Sequence, residues 1–229
     1  LSTIRDSGLK IQVLLAPAIR NDYQAYWYLQ KLFLRKDSPE VVLIHMPDLD
    51  KIGHMYGPKS QQVKRKMREV DIIFQRIKTL VEANSSELIM FSDHGMVEVK
   101  KYINPNLFLH TLAKLDKSYK PVAFIDSVFA RFWIQDEKTI DFIENLLEPL
   151  GLLTMRQSYV GINRMFRGDI LAICRYGCMF FPNYFDFNKP LGMHGYNPSS
   201  HDASIDGVFW SSSDWDVKVS KITDLHSVI

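Results

Sequence analysis

Short runs of β-branched and other apolar residues recur along this chain, separated by stretches of helical period, and that alternation narrows its possible folds more than any other feature. Ile11-Gln12-Val13-Leu14-Leu15 reads as one strand and Val41-Val42-Leu43-Ile44-His45-Met46 as a second, with a helix over Tyr23 to Leu34 between them. From Ser60 to Ala83, apolar residues at Val63, Met67, Val70, Phe74, Ile77 and Val81 advance by three or four positions, which predicts one stripe of a long amphipathic helix. Glu87-Leu88-Ile89-Met90-Phe91-Ser92 follows as a nearly continuous apolar run of the kind buried on both faces of a sheet. Strand, helix, strand, helix, strand implies an α/β fold with a largely parallel sheet flanked by helices. Ligands of such sheets collect outside the carboxyl ends of the strands.

The pattern changes between Val99 and Arg167. Short strand-like stretches at Val122 to Ile125 and Ala130 to Ile134 precede a helix over Glu137 to Leu147, which stops before Pro149 and Gly151. This predicts a small α+β lobe over 101–167, inserted into a core built from 1–100 and 168–229. Strand-like runs resume at Asp169 to Cys174, Cys178 to Phe181 and Gly207 to Trp210. A chain of 229 residues can bury a core of this kind without disulfide or metal staples. Its 28 basic and 26 acidic residues leave a formal net charge of +2, too balanced for a general nucleic-acid or membrane-surface footprint. No secretory signal and no 18-residue apolar span is present. Cys174 and Cys178 cannot form a disulfide framework, and so low a cysteine content fits a reducing, cytoplasmic interior, although many secreted proteins are equally poor in it.

Chemistry concentrates in three clusters. The first, Pro47-Asp48-Leu49-Asp50-Lys51-Ile52-Gly53-His54-Met55-Tyr56-Gly57-Pro58, follows the second strand. A carboxylate and an imidazole four positions apart can converge on one cation where the backbone turns at Gly53 and Gly57, and that donor pair suits zinc or a similar borderline ion. The same segment would also serve as a helix entry whose Asp48 or Asp50 caps backbone N–H groups. The second, Ser92-Asp93-His94-Gly95-Met96, leaves the third strand directly, and a bend at Gly95 would bring both ionisable groups to one ion. A solvated turn has the same composition. The third, Gly192-Met193-His194-Gly195-Tyr196, flanks a histidine with glycines that let the backbone approach a ligand, or that form an ordinary loop.

Taken together, D-x-x-G-H-x-x-G-P from Asp50 to Pro58, S-D-H-G-M and G-x-H-G-Y resemble, in order and rough spacing, the type I phosphodiesterase and nucleotide pyrophosphatase group of the alkaline phosphatase superfamily. Gly168-Asp169 and Phe181-Pro182-Asn183-Tyr184 extend the resemblance over most of the chain. It implies an alkaline-phosphatase-like fold and two divalent ions, zinc by the donor types. Asp50, His54 and His194 would hold one ion, and Asp93 and His94 would be ligands of the other. The implied activity is hydrolysis of phosphodiester or nucleotide pyrophosphate bonds in small molecules. The resemblance also requires an aspartate after the first strand and a Thr or Ser nucleophile opening the next helix, both upstream of the D-x-x-G-H segment. Only 49 residues precede Asp50, with one strand and one helix among them, so the chain reads as a fragment truncated at both ends and feeble or inactive alone. Ser2 and Thr3, at a chain end with no strand to aim them, are poor substitutes. The same superfamily also splits phosphomonoesters, phosphonates and sulfate esters and moves phosphate between sugar carbons, and a non-catalytic metal- or nucleotide-binding domain is a further alternative.

Other residues have plainer readings. His45 is expected to be a packed or sheet-edge residue, Asp48 to cap or orient the first cluster, and Cys174 and Cys178 to pack as apolar side chains around a turn. His201, Asp202 and Asp206 would form a polar rim. Lys64-Arg65-Lys66 and Arg68 make a solvated helix face. Tyr102, Phe185 and Tyr196 are the aromatics that could stack on a nucleobase.

Overall fold

The computed structural model describes residues 8–14, 19–115, 121–134, 136–156, 168–198, 203–214 and 219–227. In chain order the elements are β1 (Ile11–Leu14), α1 (Asp22–Phe33), β2 (Val41–Ile44), α2 (Asp48–Tyr56), α3 (Gln61–Ala83), β3 (Ile89–Phe91), β4 (Val97–Glu98), β5 (Lys101–Ile103), α4 (Asn106–Leu112), β6 (Val122–Ile125), β7 (Phe129–Trp133), α5 (Glu137–Leu147), β8 (Leu153–Arg156), β9 (Ile170–Ile173), β10 (Cys178–Phe180), β11 (Gly192–Met193) and β12 (Phe209–Ser211). They divide into two compact units, one of residues 1–53, 59–94 and 206–229 and the other of residues 54–58 and 95–205. Among the described residues no helix is long and apolar enough to cross a membrane.

In the first unit β1 and β2 pair in parallel, with Ile11 opposite Val41 and Leu14 opposite Ile44. Parallel pairing needs a crossover, and α1 supplies it. Its start is fixed chemically, for the Asn21 side chain accepts a hydrogen bond from the Gln24 N–H at 2.9 Å. Ser60 does the same for α3, accepting from the Val63 N–H at 3.1 Å. The apolar faces of α1 and α3 meet at Leu29, Ile73, Ile77 and Val81, with Val42, Ile44 and Met46 packed against them. The buried edge of α3 is therefore turned toward Ile73, which is fully buried, and Met67 on the other edge of the expected stripe is 56% exposed. β3 pairs antiparallel with β12, Phe91 opposite Phe209 and Ile89 opposite Ser211. Gly207 permits this pairing, because a Cβ there would sit 2.7 Å from the Ser92 carbonyl oxygen. The Phe74 ring on α3 meets Trp210 edge to face, with centroids 5.1 Å apart.

The second unit is built on an antiparallel sheet of order β6-β7-β9-β8. It runs past residue 167 because β9 is an inner strand, paired with β7 on one side and β8 on the other. Phe108, Phe132, Ile143, Leu147, Ile170, Met179 and Phe180 are fully buried in one core. Asp136 caps α5 by accepting from the Thr139 N–H at 3.0 Å, and the bond holds its carboxyl below the usual range, the Thr139 hydroxyl being the larger cause. The β10 strand lies parallel to β5, and β11 antiparallel to β4 with Met193 opposite Val97.

Gly168 and Asp169 have structural work here. The Asp169 carboxylate accepts from the Ile134 N–H at 2.6 Å and its own N–H donates to the Phe132 carbonyl at 2.6 Å. Gly168 has φ +71, and a Cβ there would lie 2.9 Å from the same carbonyl oxygen. Gly168→Ala is expected to lower the unfolding free energy by about 1–3 kcal/mol, from the left-handed backbone and the forced shift of β7. Urea unfolding followed by fluorescence measures it, and an unchanged midpoint would contradict the stated contact.

Candidate functional site

Of the two forms open to the first cluster, a glycine-directed turn and a helix entry, it takes the helical one. Residues 48–56 form α2, so Asp50 and His54 reach one face by the i, i+4 spacing of a helix. Gly53 is a buried helical residue. Gly57, at φ +80, ends the helix in the left-handed conformation, with the Leu191 carbonyl oxygen 3.3 Å from where a Cβ would be.

His54 is oriented by the histidine loop. Its Nδ1 lies 2.8 Å from the Gly192 carbonyl oxygen, and its own carbonyl accepts from the Leu191 N–H at 2.8 Å. A carbonyl can only accept, so the ring proton resides on Nδ1 and the lone pair on Nε2. The His194 ring stands 5.0 Å from the His54 ring, centroid to centroid, tilted by 54°. An imidazole whose Nδ1–H is held by backbone, beside a second imidazole, is the donor chemistry of a transition-metal site. Gly195, at φ +84, follows His194 directly, and a Cβ there would crowd the Val128 Cγ2 at 3.3 Å.

Asp93 and His94 leave β3 together, as expected for residues past a strand end. The His94 Nε2 lies 3.5 Å from the Asp93 Oδ1, with the Asp93 side chain largely exposed and that of His94 half-buried. Of the sequence-predicted residues, His54 stands beside His194, while Asp93 stands beside His94, whose ring and the Asp50 carboxylate offer ligand atoms within 4.8 Å of each other.

The other residues singled out in the sequence take these places. His45 is exposed just beyond β2, where its N–H donates to the Leu14 carbonyl at 3.1 Å, so it is a sheet-edge residue and not a packed one. Tyr196 is buried, stacked on Tyr176 at 5.1 Å and 18°, and burial pushes its phenol up, so it belongs to the core of its unit and cannot stack on a base. Tyr102 donates to the Pro190 carbonyl at 2.7 Å. Phe185 is exposed and touches Phe124 and Tyr184. Cys174 and Cys178 are reduced thiols around a turn, and burial, with Cys178 adding to it, pushes the Cys174 thiol up to about 12. Asp206 is exposed, and His201 and Asp202 lie outside the described residues, as do Ser2 and Thr3.

One member of the basic run departs from a solvated face. Lys66 is 3.3 Å from the Asp48 Oδ2 and 2.6 Å from Glu69. Burial works to lower its pKa, but the hydrogen bonds it donates to Glu69 and Asp48 outweigh it and hold the ammonium charged. Asp48 in turn receives the Asp22 N–H, and Asp22 is a fully buried acid that the sequence reading did not single out.

A model of the family described as type I phosphodiesterase / nucleotide pyrophosphatase matches residues 16–197. Over 102 residues the chain is 34% identical to human ectonucleotide pyrophosphatase/phosphodiesterase family member 1, a stretch that is 42% of this chain and 11% of that protein. Over 110 residues it is 28% identical to the catalytic subunit of human GPI ethanolamine phosphate transferase 2, covering 45% of this chain and 10% of that one. The matched stretch is thus about a tenth of the length of these curated relatives. Among solved structures, murine ectonucleotide pyrophosphatase / phosphodiesterase 5 superposes with a TM-score of 0.69 at 18% identity, over 92% of this chain and 62% of that one. Phosphonoacetate hydrolase from Sinorhizobium meliloti does so with a TM-score of 0.63 at 14% identity, over 88% and 52%. The fold is therefore the expected alkaline-phosphatase-like α/β fold. With the family match running from before α1 through the His194 loop, and the three motif segments each within it, the chain belongs to the type I phosphodiesterase / nucleotide pyrophosphatase family.

Proposed function

We propose that this chain carries the metal-binding part of a hydrolase acting on phosphodiester or nucleotide pyrophosphate bonds. Asp50, His54 and His194 hold one divalent ion, and Asp93 and His94 are ligands of a second, with zinc as the native metal. The observation that carries this reading is the His54 imidazole, fixed through Nδ1 to the Gly192 carbonyl with the His194 ring beside it. Neutral imidazoles with carboxylates suit zinc better than magnesium or calcium, which favour all-oxygen shells.

When bound, a pair of such ions stabilises the attacking and leaving oxygens of an in-line displacement at phosphorus. The protein's own part is orientation. The Gly192 carbonyl keeps the proton on His54 Nδ1 and so presents Nε2 as a ligand, and α2 sets Asp50 one turn away. These assignments give a ligand role to five residues and a nucleophile role to none, so turnover by the 229 residues alone is expected to be feeble. A nucleotide ligand is supported by the murine phosphodiesterase 5 relative, an inactive form of which was solved in complex with AMP.

The test is binding and turnover measured together. Zinc-loaded chain is expected to bind AMP in calorimetry and to release nitrophenol from a nitrophenyl phosphodiester very slowly, with chelation abolishing both. Rapid zinc-dependent hydrolysis would contradict a set of assignments that gives no residue a nucleophile role, and AMP binding unaffected by chelation would contradict the metal-centred site. Comparing nitrophenyl phosphodiester, phosphomonoester, phosphonate and sulfate ester separates the diester reading from the other bonds that this scaffold supports elsewhere.

A further inference from the structure

The first residues of α1 and α2 hold each other. The Asp48 N–H donates to the Asp22 Oδ1 at 3.1 Å, and the Asp22 N–H donates to the Asp48 Oδ2 at 3.3 Å. Lys66 from α3 closes the group by donating to the same Asp48 Oδ2 at 3.3 Å. Asp22 is fully buried, and its Oδ2 makes no hydrogen bond among the described residues. A buried acceptor left in that state is costly, and an apolar side chain at the start of α1 would avoid the cost. What an apolar side chain cannot do is accept the first N–H of α2.

From this reciprocal pair we infer that Asp22 is a positioning residue for the metal-binding helix, clamping the first turn of α2 so that Asp50 and His54 are presented in register. The inference rests on the metal reading given above. Asp50 lies two residues beyond the clamped N–H and His54 six, so at a rise of about 1.5 Å per residue both lie within about 9 Å of the pivot. A small rotation of the first turn therefore moves both ligand atoms at once. Burial favours the protonated acid at Asp22, against the Asp48 N–H bond, with the Asp48 charge adding to the rise and Lys66 and His45 opposing it. A neutral acid still accepts through Oδ1, so an amide can take its place.

The experiment compares zinc affinity and metal-free hydrogen exchange in the 229-residue chain and its Asp22→Ala, Asp22→Asn and Asp48→Ala variants. Asp22→Ala is expected to bind zinc about 10-fold or more weakly, as loss of a group that orients a ligand does. Exchange in 48–56 should rise while that in 61–83 holds, and Asp22→Asn should restore both. Should Asp22→Ala fail to fold, Asp48→Ala, which breaks the other arm at a half-buried position, is expected to weaken zinc and loosen 48–56 in the same sense. Unchanged affinity in the folded variants, an Asn variant as weak as Ala, or exchange rising equally in both helices would each overturn the positioning role. Absence of zinc binding by the unmutated chain would instead overturn the metal reading, and the exchange data would still decide whether the clamp exists.

Discussion

His54→Ala and His194→Ala are each expected to lower the zinc affinity of the chain by at least about 100-fold, beyond the 10- to 100-fold that follows loss of an outer partner of a metal ligand. The two rings stand 5.0 Å apart, and the His54 Nδ1 is spoken for by the Gly192 carbonyl, so each variant removes one of the imidazole donors assigned to the first ion. His54→Ala also removes the side-chain bond to the histidine loop, so its loss is expected to be the larger of the two. Competition titration against a chromophoric chelator measures both. On the proposed assignment His94→Ala removes a ligand of the second ion, and the tighter of two binding steps is expected to survive it. Equal zinc content in all three variants and the unmutated chain would remove the ligand assignments.

Phe132→Ala is expected to cost about 3–5 kcal/mol of stability, the range for deleting a buried phenylalanine from a core that cannot collapse around the gap. The ring is fully buried in the second unit and meets Phe108 at a centroid distance of 5.9 Å. The backbone of the same residue cannot move to compensate, because its carbonyl accepts the Asp169 N–H and Gly168 packs against it. A loss this large is a sizeable share of the 5–15 kcal/mol by which domains are ordinarily stable. Urea unfolding monitored by circular dichroism checks it, and a cost below about 1 kcal/mol would mean that the site relaxes in a way these contacts forbid.

Local pattern made the elements legible and left their partners hidden. The helix over Glu137–Leu147 and the strand over Val122–Ile125 were readable because their periods and stops are local. That β3 pairs with β12 was not, because the match of Ile89 with Ser211 joins residues far apart in sequence. Asp50, His54, Asp93, His94 and His194 could be picked out by motif. Whether Asp50 and His54 share a face through a turn or through a helix stays open in the sequence, for Gly53 signals a turn by composition and is buried inside a helix instead. Met67 fitted the apolar stripe of α3, yet packing selected the edge marked by Ile73. Tyr196 carried the family motif, and its sequence neighbours gave no sign that Tyr176 covers it. Asp22 escaped notice because an acid opening a helix is ordinary, and its partner Asp48 lies 26 residues away.

X-ray absorption at the zinc edge, on chain loaded with one equivalent of zinc, tests the central claim most directly. The expected spectrum shows a nitrogen and oxygen shell at about 2.0–2.2 Å with the outer scattering of two imidazoles, and His194→Ala removes one of them. A shell of oxygen alone, or an imidazole count that His194→Ala leaves untouched, would contradict a metal held by His54 and His194.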